Sequence, residues 1–361
     1  MKVWLFSYEE VISKGTNPRL LGYYEYLQKH GHSPCFCFLK GSNTVQSRYD
    51  NHTPNLSFSL PLLRLVSYFF ALLIYKPCDI VYVYCPNAVF IPLYFTCRLR
   101  GIRLVIEKTE LDSIKQNENW KDIVNKRLYQ LDEWFAPRVS DSLIVISSKL
   151  TFHYEQWTPK TTLVGAFTPY HSLNKPLKQE SKNTSYTIGY LGSFAGKDDI
   201  ETLLKAFGYV VNQIPTTHLK LIGKVPAQWS RLFSEQNITC IQNVSNTDIH
   251  GQLLTCDVLI AIRKNNAYAN HGFPSKLTEY IATGIPVIAT PSSDIPELFT
   301  DGETITLVPH GNSQALGTAI ISVSNSPENY RQIALNAHDW AKTNWDPEVV
   351  LADWMAGVLG G

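Results

Sequence analysis

Eleven short, continuous apolar runs recur along this chain, and their spacing constrains the fold more than any other feature. In the first half they fall at 3–7, 35–39, 80–84, 104–107 and 142–146. In the second half they fall at 187–191, 219–222, 239–242, 258–261, 287–289 and 305–308. Continuous runs, as opposed to alternating ones, predict parallel strands covered on both faces. Helical stretches separate them, such as 18–30, which stops at Gly31. Strands alternating with helices over short connections make a doubly wound α/β layer structure. The 361 residues are enough for two domains with separate cores. A polar, aperiodic stretch at 171–186 reads as the linker between them. The expected architecture is α/β, with doubly wound domains at 1–170 and 187–361 whose strands end at a shared cleft.

Composition excludes several classes. Lys and Arg total 32 against 31 Asp and Glu, so no global field favours nucleic acid as a partner. The seven cysteines form no Cys-x-x-Cys pair and no metal-ligand spacing, which predicts reduced thiols, a cytoplasmic setting and no metal site. The apolar start at 1–7 is too short for a signal peptide. The most hydrophobic stretch, 60–75, is interrupted by Arg64 and Ser67 and falls short of a membrane span. It reads as a buried crossover helix, with an interfacial helix as the alternative. No Gly-x-Gly-x-x-Gly follows the first strand, which argues against a dinucleotide cofactor; a looser loop around Gly15 stands there. Neither a Gly-x-Ser-x-Gly elbow nor an Asp-x-Asp triplet occurs.

The segment 271–290 carries the most chemistry. Gly272 makes a turn, Pro274 suits a first helical position, Gly284 suits a left-handed helix stop, and Pro286 precedes a β-branched strand. Amides at the helix start, with Ser275 and Lys276 beside them, are expected to form an anion site. Glu279 follows Lys276 by three residues, so both project from one helical face. A phosphate-suited cation next to a carboxylate suited to sugar hydroxyls reads as a nucleotide-sugar pocket.

This segment resembles the donor-binding signature of retaining GT-B glycosyltransferases of family 4. Gly272, Phe273, Glu279, Gly284, Pro286, Val287, Ile288 and Ala289 match it, while His271 replaces the first glutamate of the signature. Weaker matches in the family's order include 26–32, 140–147 and 188–193. The resemblance implies two Rossmann-like domains facing a cleft, with a last helix that packs back on the N-terminal, acceptor-side domain. It also implies that Glu279 holds the ribose and that His271 stands on the sugar side as a catalytic candidate. Lys197 matches the family's phosphate-binding lysine, whereas Ser193 occupies its arginine position. Arg263 and Lys264, after the run at 258–261, are candidates for the missing charge, and Gly15 for close approach to the phosphates. In the acceptor-side domain Thr109 stands where the family has histidine, and Glu110 matches the acid after it. Glu110, or Glu107, is expected to orient the acceptor hydroxyl; a capping role is the alternative.

The expected activity is transfer of a sugar from a nucleotide-diphosphate donor to a glycan or lipid-linked acceptor, with retention and without metal or other cofactor. The basic residues Arg98, Arg100 and Arg103, near the 60–75 helix, suggest peripheral contact with the inner membrane face. Alternatives are a non-catalytic GT-B subunit that binds a sugar nucleotide or partner enzyme, and a sugar-nucleotide epimerase.

Overall fold

A computed structural model describes residues 1–9, 18–40, 61–75, 77–111, 120–158, 160–168, 172–178, 185–192, 194, 196–226, 229, 237–242, 244 and 246–359. Gly15 and Ser193 lie outside the described residues. The chain divides into two compact units, one formed by Met1–Gly165 with Pro347–Gly361 and the other by Ala166–Asp346. Segment 171–186, expected as a linker, therefore falls inside the second unit.

The first unit runs β1 (Lys2–Glu9), α1 (Pro18–Lys29), β2 (Ser33–Lys40), α2 (Pro61–Tyr75), β3 (Ile80–Tyr84), α3 (Ile91–Arg100), β4 (Arg103–Lys108), α4 (Trp120–Val139), β5 (Ser142–Val145), α5 (Ser148–Glu155) and β6 (Thr161–Leu163). Its six described strands lie in the order β2-β1-β3-β4-β5-β6, and all neighbours are parallel. Strand β6 has no counterpart among the apolar runs. It is a three-residue edge strand of Thr-Thr-Leu, half exposed, and so leaves no such run in the sequence.

A buried polar network stitches this unit together. Glu107 in β4, fully buried, pairs with Arg19 of α1 at 2.5 Å and accepts from the hydroxyls of Tyr82 and Tyr23. Arg19 also donates to the carbonyls of Val164 and Gly165. Glu107 is thus spent on structure, and the expectation that it orients an acceptor is corrected: a carboxylate this occupied has no face left for a substrate.

The second unit runs β7 (Tyr186–Leu191), α6 (Ile200–Gln213), β8 (Thr217–Ile222), β9 (Ile238–Ile241), α7 (Asn246–Leu254), β10 (Val258–Ala261), α8 (Ala267–His271), α9 (Lys276–Ile281), β11 (Val287–Ala289), α10 (Ile295–Leu298), β12 (Thr306–Leu307), α11 (Ser313–Asn325) and α12 (Pro327–Asn344). Its described strands form a second parallel sheet, β12-β11-β10-β7-β8-β9. Helix α6 shows how sequence sets the packing. Asp199 caps it by accepting from the Thr202 amide, and Ile200, Leu203, Phe207 and Val210 repeat at helical spacing and face the core.

Toward the end of the chain α12 stops before Trp345. Beyond it α13 (Pro347–Leu359) belongs to the first unit. There Trp354 packs 5.1 Å from the Tyr23 ring, and Glu348 bonds Lys29 at 2.7 Å.

Candidate functional site

The second sheet reverses direction between β7 and β10. The chain winds outward from β7 through β8 and β9, then returns to place β10 on the other side of β7. At such a switch point the loops leaving adjacent strands turn apart and open a crevice at the strands' carboxyl ends. The loop after β7 carries Lys197 and Asp198, and the loop after β10 carries Arg263 and Lys264. The two loops are joined by an antiparallel bridge between Asp198 and Arg263 and by the Lys264 amide donating to the Lys197 carbonyl at 3.0 Å.

Helix α9 is fixed beneath this crevice by Tyr280. Its hydroxyl accepts from the Leu191 amide at 2.6 Å and donates to the Ile260 carbonyl at 3.3 Å, so one phenol spans the ends of β7 and β10. The helix is six residues long, and Pro274, expected at its first position, lies outside it, with Ser275 as the cap. The Leu277 amide is turned back to the Pro274 carbonyl and the Thr278 amide to the Ser275 carbonyl, so these two amides of the helix start are already used within the turn. Gly284 ends the turn with φ +66°, as expected, against Leu177. Gly223, at φ +129°, has the Gly192 carbonyl where a Cβ would sit, 2.1 Å away, so β8 and β7 approach as closely as backbones can.

Lys276 reaches from α9 to the crevice floor. Its ammonium lies 3.0 Å from Asp198 Oδ1 and 2.9 Å from the Tyr190 hydroxyl, and 4.1 Å from the centre of the Tyr190 ring. Burial drives its pKa down to about 8; Asp198 opposes this, while Arg263 and Lys197 push further down. Asp198 moves the other way: burial raises its carboxyl, but Lys276, Tyr190 and Arg263 together hold it below its ordinary value. Lys197 projects alongside, its ammonium 5.7 Å from the Tyr268 ring centre. Glu279, on the same helix as Lys276, is half-buried, and burial raises its carboxyl against the pull of Lys175.

Arg263 is used differently from the expectation. It is 3% exposed, and its guanidinium donates to the carbonyls of Ala269, Gly272 and Phe273. It therefore clamps the segment that carries His271 and contributes charge through space, and it is not a direct ligand here. His271 ends α8, where its Nδ1 lies 2.7 Å from the Ala267 carbonyl. An Nδ1–H donating there makes Nε2 the acceptor nitrogen of the neutral ring. Phe273 is buried against Trp345, ring centres 5.9 Å apart, Gly272 and Pro274 are buried, and Ser275 is exposed.

Residues 174–340, most of this unit, match the sequence family described as Glycosyl transferases group 1. The second unit is a group 1 domain, and the protein is a glycosyltransferase. No curated protein sequence matches the chain. Among solved structures, a protein from Anabaena, HepE, in complex with UDP-glucose superposes with a TM-score of 0.76 at 16% identity, covering 100% of this chain and 99% of that one. Sucrose-phosphate synthase from Thermosynechococcus elongatus gives 0.72 at 17% identity, covering 98% and 97%. A glycosyltransferase from Rickettsia africae gives 0.73 at 12% identity, covering 99% and 98%. At such identities the likeness is one of fold, the two-sheet GT-B architecture.

In this glycosyltransferase the second unit brings together Lys197, Lys276 and Arg263 around Asp198. Glu110 belongs to the other unit, half-buried just past β4. Its neighbour Thr109 has its hydroxyl 2.9 Å from Cys85 Sγ. Sequence reasoning missed Asp198 and Tyr190. Asp198 adjoins Lys197, but nothing local distinguishes it from Asp199, which only caps α6. Tyr190 reads as an ordinary strand aromatic until its hydroxyl is placed under Lys276. Among the described residues no group of three or more His, Cys, Asp or Glu is arranged to hold a metal ion.

Proposed function

We propose that the crevice at the ends of β7 and β10 binds the diphosphate of a nucleotide-sugar donor. In this reading the protein transfers the sugar to a hydroxyl of a glycan or lipid-linked acceptor, with retention and without a metal. One observation carries it: at the carboxyl ends of β7 and β10 the Lys276 ammonium sits 3.0 Å from Asp198, whose backbone is bridged to that of Arg263, with Lys197 next to it in the same loop. Cations gathered at one place repel one another, and an arriving diphosphate offsets that cost.

The roles then follow from chemistry. Lys276 and Lys197 meet the charge that develops on the leaving diphosphate, which is the step where fixed cations lower a barrier. Glu279 accepts from ribose hydroxyls. His271 offers Nε2 to a sugar hydroxyl, and Arg263 holds the 269–273 segment so that His271 and the backbone of Gly272 keep their places. By the family resemblance, Glu110 is the candidate for orienting the acceptor hydroxyl and Gly15 a candidate phosphate contact. Retention and the acceptor class rest on the family resemblance.

The test is a thermal-shift panel of nucleoside diphosphates, with UDP first because HepE holds UDP-glucose. This is followed by product analysis with UDP-sugars in the presence and absence of EDTA. A specific shift lost in Lys276→Ala and Glu279→Ala, with turnover that survives EDTA, is expected. Absence of any nucleotide shift, or epimerised donor with no transfer product, would sink the proposal.

A further inference from the structure

Helices α2, α3 and α4 of the first unit carry a concentration of exposed apolar side chains. Leu63, Val66, Phe70 and Ile74 of α2 follow one another at helical spacing and are exposed by 43%, 41%, 51% and 58%. The opposite side of the same helix, Leu65, Tyr68 and Leu72, is buried. Helix α2 is thus apolar on its outer side as well as its inner one, a pattern that water does not stabilise. Helix α3 lies between α2 and α4 and adds Phe95 and Leu99 to the outside, exposed by 53% and 77%. Among the described residues of the second unit, Tyr209 is the one large apolar side chain exposed to this degree. Of the two units, the patch therefore belongs to the first.

On α2 and α3 the charge is one-sided. The sequences of α2 and α3 contain Arg64, Arg98 and Arg100 and no acidic residue. Arg98 and Arg103 line an open cavity of about 430 Å³ at the end of α3. The described acid beside them, Asp141, lies 3.3 Å from Arg98, whose side chain is still 58% exposed. On α4 the Arg138 guanidinium lies 4.5 Å from both the Trp134 and Trp157 rings, an apolar and cationic edge of the kind that sits at a lipid headgroup boundary.

We infer that this face docks on an anionic lipid bilayer, with α2 lying in the interface plane. A 15-residue helix is about 22 Å long, short of the roughly 30 Å hydrocarbon core. Among the described residues no helix is long and apolar enough to cross a membrane. A second copy of the chain fits less well, because a two-fold contact through this face sets its arginines against one another with few acids to answer them. The inference does not depend on the donor site, which lies in the other unit.

The full-length protein is sedimented with vesicles of phosphatidylcholine alone and of an equal mixture with phosphatidylglycerol. Binding to the anionic vesicles is expected, weakened by salt. The exposed pair Phe70→Asp, Ile74→Asp should lower it more than about tenfold, and Arg98→Gln about fivefold. Circular dichroism and UDP thermal shift check that the variants fold and that their donor sites are intact. The inference is overturned if wild-type protein stays in the supernatant, or if the double aspartate variant binds as well as wild type. A concentration-dependent dimer abolished by that variant, with no vesicle binding, equally overturns it.

Discussion

The Lys276 ammonium and the Asp198 carboxylate meet at 3.0 Å at the carboxyl end of β7, with side chains 11% and 2% exposed. The pair is anchored by Tyr190, whose hydroxyl accepts from the same ammonium. Removing one partner of so buried a pair leaves the other uncompensated. Asp198→Asn is expected to drive the Lys276 pKa further below about 8, since Asp198 is what holds it up. The donor-affinity pH profile of this variant should shift to lower pH. An unchanged profile would show that Lys276 is not the titrating group.

The wild-type pH dependence has a definite sign. Lys276 titrates near pH 8 in the empty site, and a bound diphosphate, by favouring the ammonium, raises that pKa. The complex therefore holds more proton than the empty site, and affinity falls as pH rises through 8. Calorimetry of UDP binding in buffers of different ionisation enthalpy should show proton uptake at pH 8 and a weaker Kd at pH 9 than at pH 7. Proton release on binding would contradict the assignment.

Arg263→Ala deletes the donors that hold three carbonyls of the 269–273 segment. A stability loss of about 2–3 kcal/mol is expected, from charge-assisted bonds lost at a buried site. Limited proteolysis should cut this segment faster than in wild type. Arg263→Lys should restore little, because a single ammonium cannot reproduce the guanidinium fork. Thermal unfolding of both variants decides the point.

Glu107→Ala strands Arg19 and the Tyr82 and Tyr23 hydroxyls in the interior of the first unit. A loss of about 3–5 kcal/mol is expected, read as a fall in the midpoint of denaturant unfolding. Glu107→Gln, which keeps the acceptor oxygen, should lose less. If the alanine variant unfolds like wild type, the network is not what joins α1 to β4.

Trp354→Ala opens a cavity between α13 and the Tyr23 and Tyr82 rings. The expected loss is about 3–5 kcal/mol, with release of 347–361 to protease before the rest of the chain is cut. Equal protease resistance would place the anchoring of α13 elsewhere, for instance at the Glu348–Lys29 pair.

The parallel strands are legible in the amino-acid sequence because burial on both faces writes itself into the chain as continuous apolar runs. All but β6 carry such a run, and β6 escapes because a half-exposed edge strand needs none. The helix stop at Gly284 is legible too, since a left-handed turn selects glycine. Lys276 and Glu279 stand out together from their i, i+3 spacing, but in the fold Lys276 turns to Asp198 and Glu279 feels Lys175.

What the tertiary structure decided is how the charges are used. Arg263 and Lys197 look alike in sequence, each a cation just after a strand, yet one is buried on carbonyls and the other reaches the crevice. Glu107 and Glu110 are three residues apart, yet strand pairing buries the first against α1 and leaves the second half-buried. Asp198 became the counter-ion of a residue 78 positions away only because β7 and β10 are neighbours across a topological switch. Periodicity and turn chemistry are local and survive in the sequence. The partner of a buried charge is set by which strands end side by side, and that is a property of the folded sheet.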